Sequence, residues 1–72
     1  MHHSESLTVA RKTRALLRLQ QVQALTGLSR STLYKLISER NFPASISLAG
    51  RAVAWDSQAV EAWIESRIAA SV

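Results

Sequence analysis

Several residue types are scarce in this chain, and each scarcity excludes a class of protein. Among its 72 residues there is no cysteine, one proline and two glycines. The absence of cysteine excludes disulfides, thiolate metal sites and cysteine nucleophiles. Apolar runs are only a few residues long, and four Lys or Arg residues stand within positions 11–18, where a signal peptide would need an apolar segment. We therefore expect no bilayer-spanning helix, no leader and a soluble, cytoplasmic protein.

The chain has few of the groups that catalysis requires. Its two histidines, His2 and His3, stand at the terminus, where adjacent histidines rarely form a metal site. It has no glycine-rich phosphate loop. We predict that it is not an enzyme and has no catalytic residue, no metal, no cofactor and no small-molecule substrate.

Size and composition leave room for one small domain. The 72 residues make about half an ordinary domain, and 47% hydrophobic residues are enough to build a core. Residues 1–15 lack apolar periodicity, which predicts a flexible basic arm. Residues 16–70 are predicted to form the folded domain, with a short extended piece at its start.

The basic residues are concentrated in the middle of the chain. The net charge is +4, yet residues 11–51 hold eight Lys or Arg against Glu39 alone, and residues 52–72 hold three acids against Arg67. Such segregation is typical of one positive face. That face suits nucleic acid, an anionic membrane or an acidic protein partner, with a merely solvated Arg-rich surface as the structural alternative. A membrane is the weakest partner, because no predicted helix combines a basic face with a large apolar one.

The first predicted helix ends in a tight turn. Over Gln20–Thr26, the residues Val22 and Leu25 are three apart, which suits a short helix. Gly27 follows and permits the positive φ that ends a helix in a left-handed residue. Ser29 then stands where the N-cap of a new helix is expected.

The second predicted helix runs from Arg30 to about Arg40. It has one apolar stripe, formed by Leu33, Leu36 and Ile37. Its opposite face is polar and consists of Arg30, Ser31, Tyr34, Lys35 and Ser38. We expect Pro43 to end the helix, because proline disfavours helical conformation in the residue before it.

The rest of the chain predicts a β-hairpin and a last helix. Two short runs with period-two character, Ile46–Leu48 and Ala52–Trp55, flank a turn that contains Gly50. Asp56 is the expected N-cap of a helix from Ser57 to about Ala70. Helix, turn, helix, hairpin and helix make a mainly α fold with a small β-hairpin, the order of a winged helix-turn-helix domain.

Nearly every large apolar group is needed for the core of so short a chain. The predicted packing residues are Val22, Leu25, Leu28, Leu33, Leu36, Ile37, Phe42, Val53, Trp55, Val60, Trp63 and Ile64. Each stabilises the fold by roughly 1.5–3 kcal/mol in transfer terms, before the entropy cost of ordering the chain. Trp55 and Trp63 can in principle stack on bases, but both fall on apolar faces, which favours a role in clamping the last helix onto the hairpin.

Five short motifs are distributed over about residues 16–68: Leu16–Leu19, Thr26–Tyr34, Phe42–Pro43, Gly50–Trp55 and Val60–Ile64. In these motifs the sequence resembles the AlpA-type phage and prophage regulators, relatives of small excisionases and of the MerR-like winged domain. The resemblance implies sequence-specific binding of double-stranded DNA, by a transcriptional regulator or by a directionality factor that bends DNA for an integrase. The chain departs from many helix-turn-helix proteins at Gln23, where a small residue is common.

Five residues of the second helix are candidates for DNA contact. Arg30, in the first turn, can bond a guanine edge, with a phosphate contact or plain solubility as alternatives. Ser31 and Thr32 lie near the helix N-terminus, where hydroxyls favour phosphate, although Thr32 can instead point inward. Tyr34 can touch a thymine methyl or a phosphate, or be a half-buried structural residue. Lys35 is a candidate for phosphate contact.

Basic residues outside that helix complete the predicted interface. Arg51, at the tip of the hairpin, is a candidate for minor-groove or backbone contact. Arg18 is also predicted to contact DNA. The arm residues Arg11, Lys12 and Arg14 are expected to add non-specific attraction.

Three functions follow from these observations. The first is a DNA-binding transcriptional regulator of phage or prophage type, associated with the bacterial nucleoid, which contacts the major groove with residues 30–40 and the backbone or minor groove with residues 46–55. The second is an excisionase that binds repeated sites and assists an integrase. The third is a protein-interaction adaptor that docks a partner on an acidic last helix. Integrase, RNA polymerase and a second copy of the chain are the candidate protein partners.

Overall fold

The computed structural model of the protein describes residues 14–71, which contain three helices and three short strands. In chain order these are β1 (Leu16–Leu17), α1 (Leu19–Thr26), α2 (Arg30–Ser38), β2 (Ile46–Ala49), β3 (Ala52–Asp56) and α3 (Ser57–Ala70). The strands form one antiparallel sheet in the order β1-β3-β2. The predicted succession of helix, turn, helix, hairpin and helix is confirmed, and the architecture is compatible with a winged helix.

A left-handed glycine joins α1 to α2. Gly27 has a φ of 75°, and its N–H donates to the Gln23 carbonyl at 2.7 Å. Ser29 then begins α2, because its Oγ accepts the Thr32 N–H at 3.2 Å. The predicted roles of the glycine as a helix end and of the serine as an N-cap are both confirmed.

Helix α1 turns a different face to the core than its apolar spacing predicted. Val22 is fully buried, but Leu25 is 54% exposed, so its assignment to the core is wrong. The buried and half-buried positions of α1 are Leu19, Val22, Gln23 and Thr26. Backbone carbonyls satisfy the two polar side chains, since Gln23 Nε2 donates to Leu28 at 3.4 Å and Thr26 Oγ1 donates to Val22 at 2.8 Å. These local bonds let polar residues occupy the inner face.

Helix α2 ends at Ser38, two residues before the predicted end, and Pro43 is not the cause. Arg40 takes a left-handed conformation with a φ of 63°. The N–H groups of Arg40 and Asn41 bond back to carbonyls of the last turn at 3.0 and 2.8 Å. This pair of bonds is the Schellman ending, which usually uses glycine at the left-handed position.

The sheet is built around β3. Leu17 of β1 stands opposite Trp55, and Ile46 of β2 stands opposite Ala54. Gly50, with a φ of 56°, begins the two-residue turn between β2 and β3, as tight hairpins favour. The predicted hairpin is therefore present, but it is part of a three-stranded sheet, because the extended piece at Leu16–Leu17 pairs with the other edge of β3.

The core takes one buried side chain from each of the three helices, one from β3 and one from the segment between α2 and β2. Its members are Val22, Leu33, Phe42, Trp55 and Val60. The partly buried hydrophobic residues packed against them are Leu17, Leu19, Leu28, Leu36, Ile37, Val53, Trp63 and Ile64. All predicted packing residues except Leu25 are in these two groups.

The two indoles hold the segment between α2 and β2. Trp63 Nε1 donates to the Asn41 carbonyl at 2.7 Å, and Trp55 Nε1 donates to the Pro43 carbonyl at 3.1 Å. Phe42 lies between these two bonds and meets Trp63 edge-on, with 4.8 Å between ring centroids. The indoles are structural, as predicted, but Trp63 fastens α3 to residues 41–43 rather than to the hairpin.

The start of α3 also anchors the beginning of the described chain. Asp56 caps α3, since its Oδ1 accepts the Gln58 N–H at 3.2 Å. Ser57 donates its N–H to the Ala15 carbonyl at 2.8 Å, and its Oγ accepts the Ala15 N–H at 2.9 Å. The folded body thus includes Arg14 and Ala15, which were assigned to the arm. The remaining arm residues, 1–13, lie outside the described residues.

Candidate nucleic-acid interface

The predicted contact residues of α2 all lie at the protein surface. Arg30, Ser31, Thr32, Tyr34 and Lys35 are exposed, and the fully buried Leu33 lies on the inner side of the helix. Because residues four apart are neighbours on a helix, Arg30 and Tyr34 stand beside each other, as do Ser31 and Lys35. We call these five residues the exposed face of α2. It faces away from the core.

The N-terminus of α2 gathers hydroxyl groups. Ser29 Oγ donates to Thr32 Oγ1 at 2.9 Å and lies 3.5 Å from Ser31 Oγ. Thr32 is exposed, so the alternative of an inward-pointing side chain is wrong. The first N–H groups of a helix have no intrahelical carbonyl to bond, and the helix dipole adds partial positive charge there. This end of α2 therefore has the donors that suit a phosphate.

Arg30 rests on an aromatic support. Its guanidinium carbon lies 5.7 Å from the centroid of the Tyr34 ring. Tyr34 in turn meets the fully buried Trp55 edge-on, with centroids 6.3 Å apart. The Tyr34 side chain thus joins an exposed cation to the core, and the structural role that was left open for it is compatible with a role at the surface. A stacked guanidinium keeps its N–H donors in a plane that is free to bond.

The other predicted residues lie on different elements. Arg51 is exposed in the turn between β2 and β3, and Arg18 is exposed at the start of α1. The backbone N–H of Arg18 is held by Gln21 Oε1 at 2.8 Å. The structure therefore places five of the seven candidates on one helix and these two on other elements.

Arg14 is not free for the phosphate attraction expected of it. Its Nη2 donates to Asp56 Oδ2 at 2.7 Å and its Nε to Asp56 Oδ1 at 3.3 Å. The Arg14 hydrogen bond is the main reason that the pKa of Asp56 lies below its usual range; the Gln58 N–H lowers it further, and partial burial opposes both. Asp56 is thereby also removed from the acidic surface that the adaptor hypothesis requires, which leaves Glu61 and Glu65 exposed on α3.

Arg40 and Arg67 form a second basic surface to which sequence reasoning assigned no role. Both are exposed, and Arg67 lies over the Trp63 ring, with its guanidinium carbon 5.0 Å from the ring centroid. They are 27 positions apart in the sequence. No local pattern signals that they share one surface, because their placement depends on how α3 packs.

Residues 14–71 contain neither a cluster of metal-ligating side chains nor a membrane-spanning helix. That part of the chain has no cluster of three or more His, Cys, Asp or Glu side chains that could hold a metal ion. None of its helices has the length and apolar character needed to cross a bilayer.

Comparison with known proteins agrees with the motifs. A family model described as "Prophage CP4-57 regulatory protein (AlpA)" matches residues 15–68. The chain belongs to the AlpA family. The residues matched by the AlpA model begin at Ala15, where the described fold is already bonded to α3. The resemblance drawn from the motifs is confirmed, and AlpA proteins are phage regulatory proteins.

This AlpA-family chain is also similar to a protein of Enterobacteria phage P4 named "Uncharacterized protein ORF88". The two are 51% identical over 53 residues, which cover 74% of this chain and 60% of the relative. The match therefore spans about 60% of the length of that phage protein.

Proposed function

We propose that this chain is a sequence-specific, double-stranded DNA-binding transcriptional regulator of phage or prophage type. Helix α2 contacts the major groove, and the β2–β3 hairpin contacts the backbone or the minor groove. The observation that carries the proposal is the exposed face of α2, where Arg30 and Lys35 have no ion-pair partner among residues 14–71. Membership of a phage regulatory family supports it.

The dimensions of α2 suit a groove. A helix is about 10–12 Å across, and the major groove of B-DNA is about 12 Å wide. Arg30 and the hydroxyls of Ser31 and Thr32 occupy the first turn, the part of a recognition helix that contacts base edges in helix-turn-helix proteins. In this arrangement Arg30 bonds a guanine edge, while the hydroxyls, Lys35 and Arg18 bind phosphates.

The hairpin supplies a second contact. Its two-residue turn exposes Arg51, and the β2–β3 register shifts between Ser47 and Ala49, which locally changes the twist of the pair. A single cation at the end of a short hairpin suits the backbone or the minor groove beside the site of α2.

The experiment has two stages. DNA fragments bound by the full chain are first selected from phage and bacterial genomic DNA. Fluorescence anisotropy on the selected duplex is then expected to give a nanomolar-range Kd that rises steeply with salt, because binding releases counterions. Arg30→Ala is expected to raise that Kd about 5- to 150-fold and to relax the preference at one base pair, corresponding to ~1–3 kcal/mol of discrimination.

Arg67→Gln is the matched control, since it removes the same charge from α3 and is expected to keep affinity and site preference. An Arg30→Ala variant with unchanged affinity and preference would remove the readout role of Arg30. If the full chain bound no duplex at low salt, the adaptor function, with Glu61 and Glu65 as the docking residues, would replace the proposal.

The shortness of α2 favours tandem binding and keeps the excisionase function as a second candidate. Nine residues span about 13 Å, which corresponds to about four base pairs. One domain therefore contacts few base pairs, and several copies are needed for a unique site. A footprint over adjacent repeats in an attachment region, with integrase recruitment, would assign the excision role; a lone promoter site would assign the regulator role, with RNA polymerase as the partner.

A further inference from the structure

A cavity of about 400 Å³ lies between the C-terminal ends of α2 and α3. The residues that matter for its chemistry are Arg40, Phe42, Pro43, Trp63 and Arg67. We call it the Arg40–Arg67 pocket. It lies beyond the C-terminal end of α2, whereas Arg30 begins that helix at the other end. None of the functions considered so far uses it.

The floor of the pocket is aromatic and firmly held. Phe42 is 5% exposed and meets Trp63 edge-on at 4.8 Å between centroids. The Trp63 indole N–H is bonded to the Asn41 carbonyl at 2.7 Å, so the ring cannot turn without losing this bond. A preformed apolar floor of this kind suits a side chain of a ligand, because little conformational entropy is lost when the ligand binds.

The rim of the pocket is cationic and uncompensated. Arg67 stacks on the Trp63 ring at 5.0 Å, and Arg40 leaves the end of α2 in a left-handed conformation. Neither guanidinium has an ion pair or a side-chain hydrogen bond among residues 14–71. No carboxylate lines the cavity. Two guanidinium groups with free donors beside an aromatic floor are complementary to carboxylates that stand next to an apolar side chain.

We propose that the Arg40–Arg67 pocket binds an acidic peptide segment of a partner protein. Carboxylates of the segment bond the two guanidinium groups, and an aromatic or branched apolar side chain between them packs on Phe42 and Trp63. A peptide fits better than a DNA phosphate, because a phosphate group has no apolar part of its own that would pack on the aromatic floor. Bound in this way, the partner leaves the exposed face of α2 accessible, and the two surfaces act independently.

The chain carries its own internal reference for a test by NMR. Trp63 lines the pocket and gives a resolved indole signal, whereas Gly27 lies in the turn before α2, at the other end of that helix from the pocket. Full-length ¹⁵N-labelled protein is titrated with a capped Glu-Asp-Leu-Phe-Asp-Glu peptide. The Trp63 indole signal and the amide signals of residues 40–42 are expected to shift with saturation. The amide signal of Gly27, in the turn before α2, is expected to stay. The neutral Gln-Asn-Leu-Phe-Asn-Gln peptide is the ligand control.

Variants separate specific contacts from general charge. Arg67→Gln and Arg40→Gln are each expected to weaken peptide binding about five- to tenfold, as loss of a charge-assisted bond at a partly open site predicts. Arg51→Gln removes the same charge from the hairpin turn and is expected to leave peptide binding unchanged. An unshifted Gly27 amide signal in each variant, together with an unchanged circular dichroism spectrum, verifies that the fold is kept.

Four results would overturn the proposal. Equal binding of the neutral peptide, or equal weakening by Arg51→Gln, would mean that the pocket gives no specificity. No shift of the Trp63 indole at millimolar peptide would mean that the pocket binds no such segment. Shifts of the same signals on adding a DNA duplex, lost in Arg67→Gln, would make the pocket a phosphate contact. Shifts that follow protein concentration without peptide would make a second copy its occupant.

Discussion

At the scale of single residues, two features of the fold could not be predicted from the neighbouring sequence. Arg40 is left-handed, a conformation that costs an ordinary residue roughly 1–2 kcal/mol and glycine little. Arg14 and Asp56 form an ion pair between residues 42 positions apart. Substitutions at Arg40, Arg14 or Asp56 are therefore expected to change the stability of the fold in a predictable direction.

The left-handed conformation of Arg40 predicts the outcome of a pair of substitutions. Arg40→Gly is expected to be more stable than Arg40→Ala by about 0.5–1 kcal/mol, because only glycine adopts a positive φ without strain. Both variants lack the arginine side chain, so the comparison isolates the backbone. Urea unfolding followed by circular dichroism measures the difference. A glycine variant no more stable than the alanine variant would contradict this prediction.

The Arg14–Asp56 pair predicts a pH dependence of stability. The pKa of Asp56 is lower in the folded chain than its unfolded value near 3.9. The pair therefore stabilises the fold fully above pH ~4, and this stabilisation is lost as pH falls through the lower folded pKa. Asp56→Asn, which retains a capping oxygen but has no charge, should lack this loss.

Urea unfolding between pH 7 and pH 2.5 compares the two proteins. The stability advantage of the natural chain over Asp56→Asn should shrink below pH ~4. Arg14→Gln should shift that loss toward higher pH, since it removes the main cause of the lowered pKa. Parallel pH profiles for the natural chain and Asp56→Asn would show that the pair has no such role.

At the scale of elements, capping sets where the helices begin. Ser29 Oγ binds the Thr32 N–H at the start of α2, and Ser31, two residues on, caps nothing. The same start positions the first turn, which carries Arg30. Stability of the cap and position of the proposed DNA contact are therefore linked.

These two serines provide a matched pair of substitutions. Ser29→Ala is expected to lower the free energy of unfolding by about 0.5–2 kcal/mol, since an N-H donor of the first turn loses its acceptor. Ser31→Ala is expected to change it by less than about 0.5 kcal/mol. Thermal and urea unfolding measure both. Equal effects of the two substitutions would mean that Ser29 is not the effective cap.

At the scale of the whole molecule, a chain this small depends on a few buried side chains. Leu33 is fully buried, whereas Leu25 is 54% exposed although both were predicted to pack. A single core in a domain of this size rarely contributes more than about 3–5 kcal/mol of net stability. The free energy lost on truncating one central side chain is therefore comparable to the net stability of the whole domain.

Two leucine substitutions test this distribution of the core. Leu33→Ala is expected to cost about 2–5 kcal/mol, enough to unfold much of the protein at 25 °C. Leu25→Ala is expected to change stability by less than about 0.5 kcal/mol. Circular dichroism at 222 nm against temperature distinguishes them. A large effect of Leu25→Ala would mean that α1 packs with the face its apolar spacing first suggested.

The residues of the candidate site were identifiable from the sequence because their signals are local. Helical spacing predicts the polar face of α2, and Gly27 and Ser29 predict the turn before it. The aromatic support of Arg30 was not identifiable, since Trp55 comes from β3. The Arg40–Arg67 pocket could not be predicted from the sequence either, because Arg40 follows α2 and Arg67 lies in α3.

The order of helices and strands, the turn at Gly27 and the caps at Ser29 and Asp56 could all be predicted from the amino-acid sequence. Each of these depends on interactions within a few residues, so each leaves a short-range pattern. The buried face of α1, the bonds that hold residues 41–43 and the ion pair between Arg14 and Asp56 became visible only in the folded chain. These features depend on contacts between residues far apart in the chain, where packing and the satisfaction of hydrogen bonds outweigh local spacing.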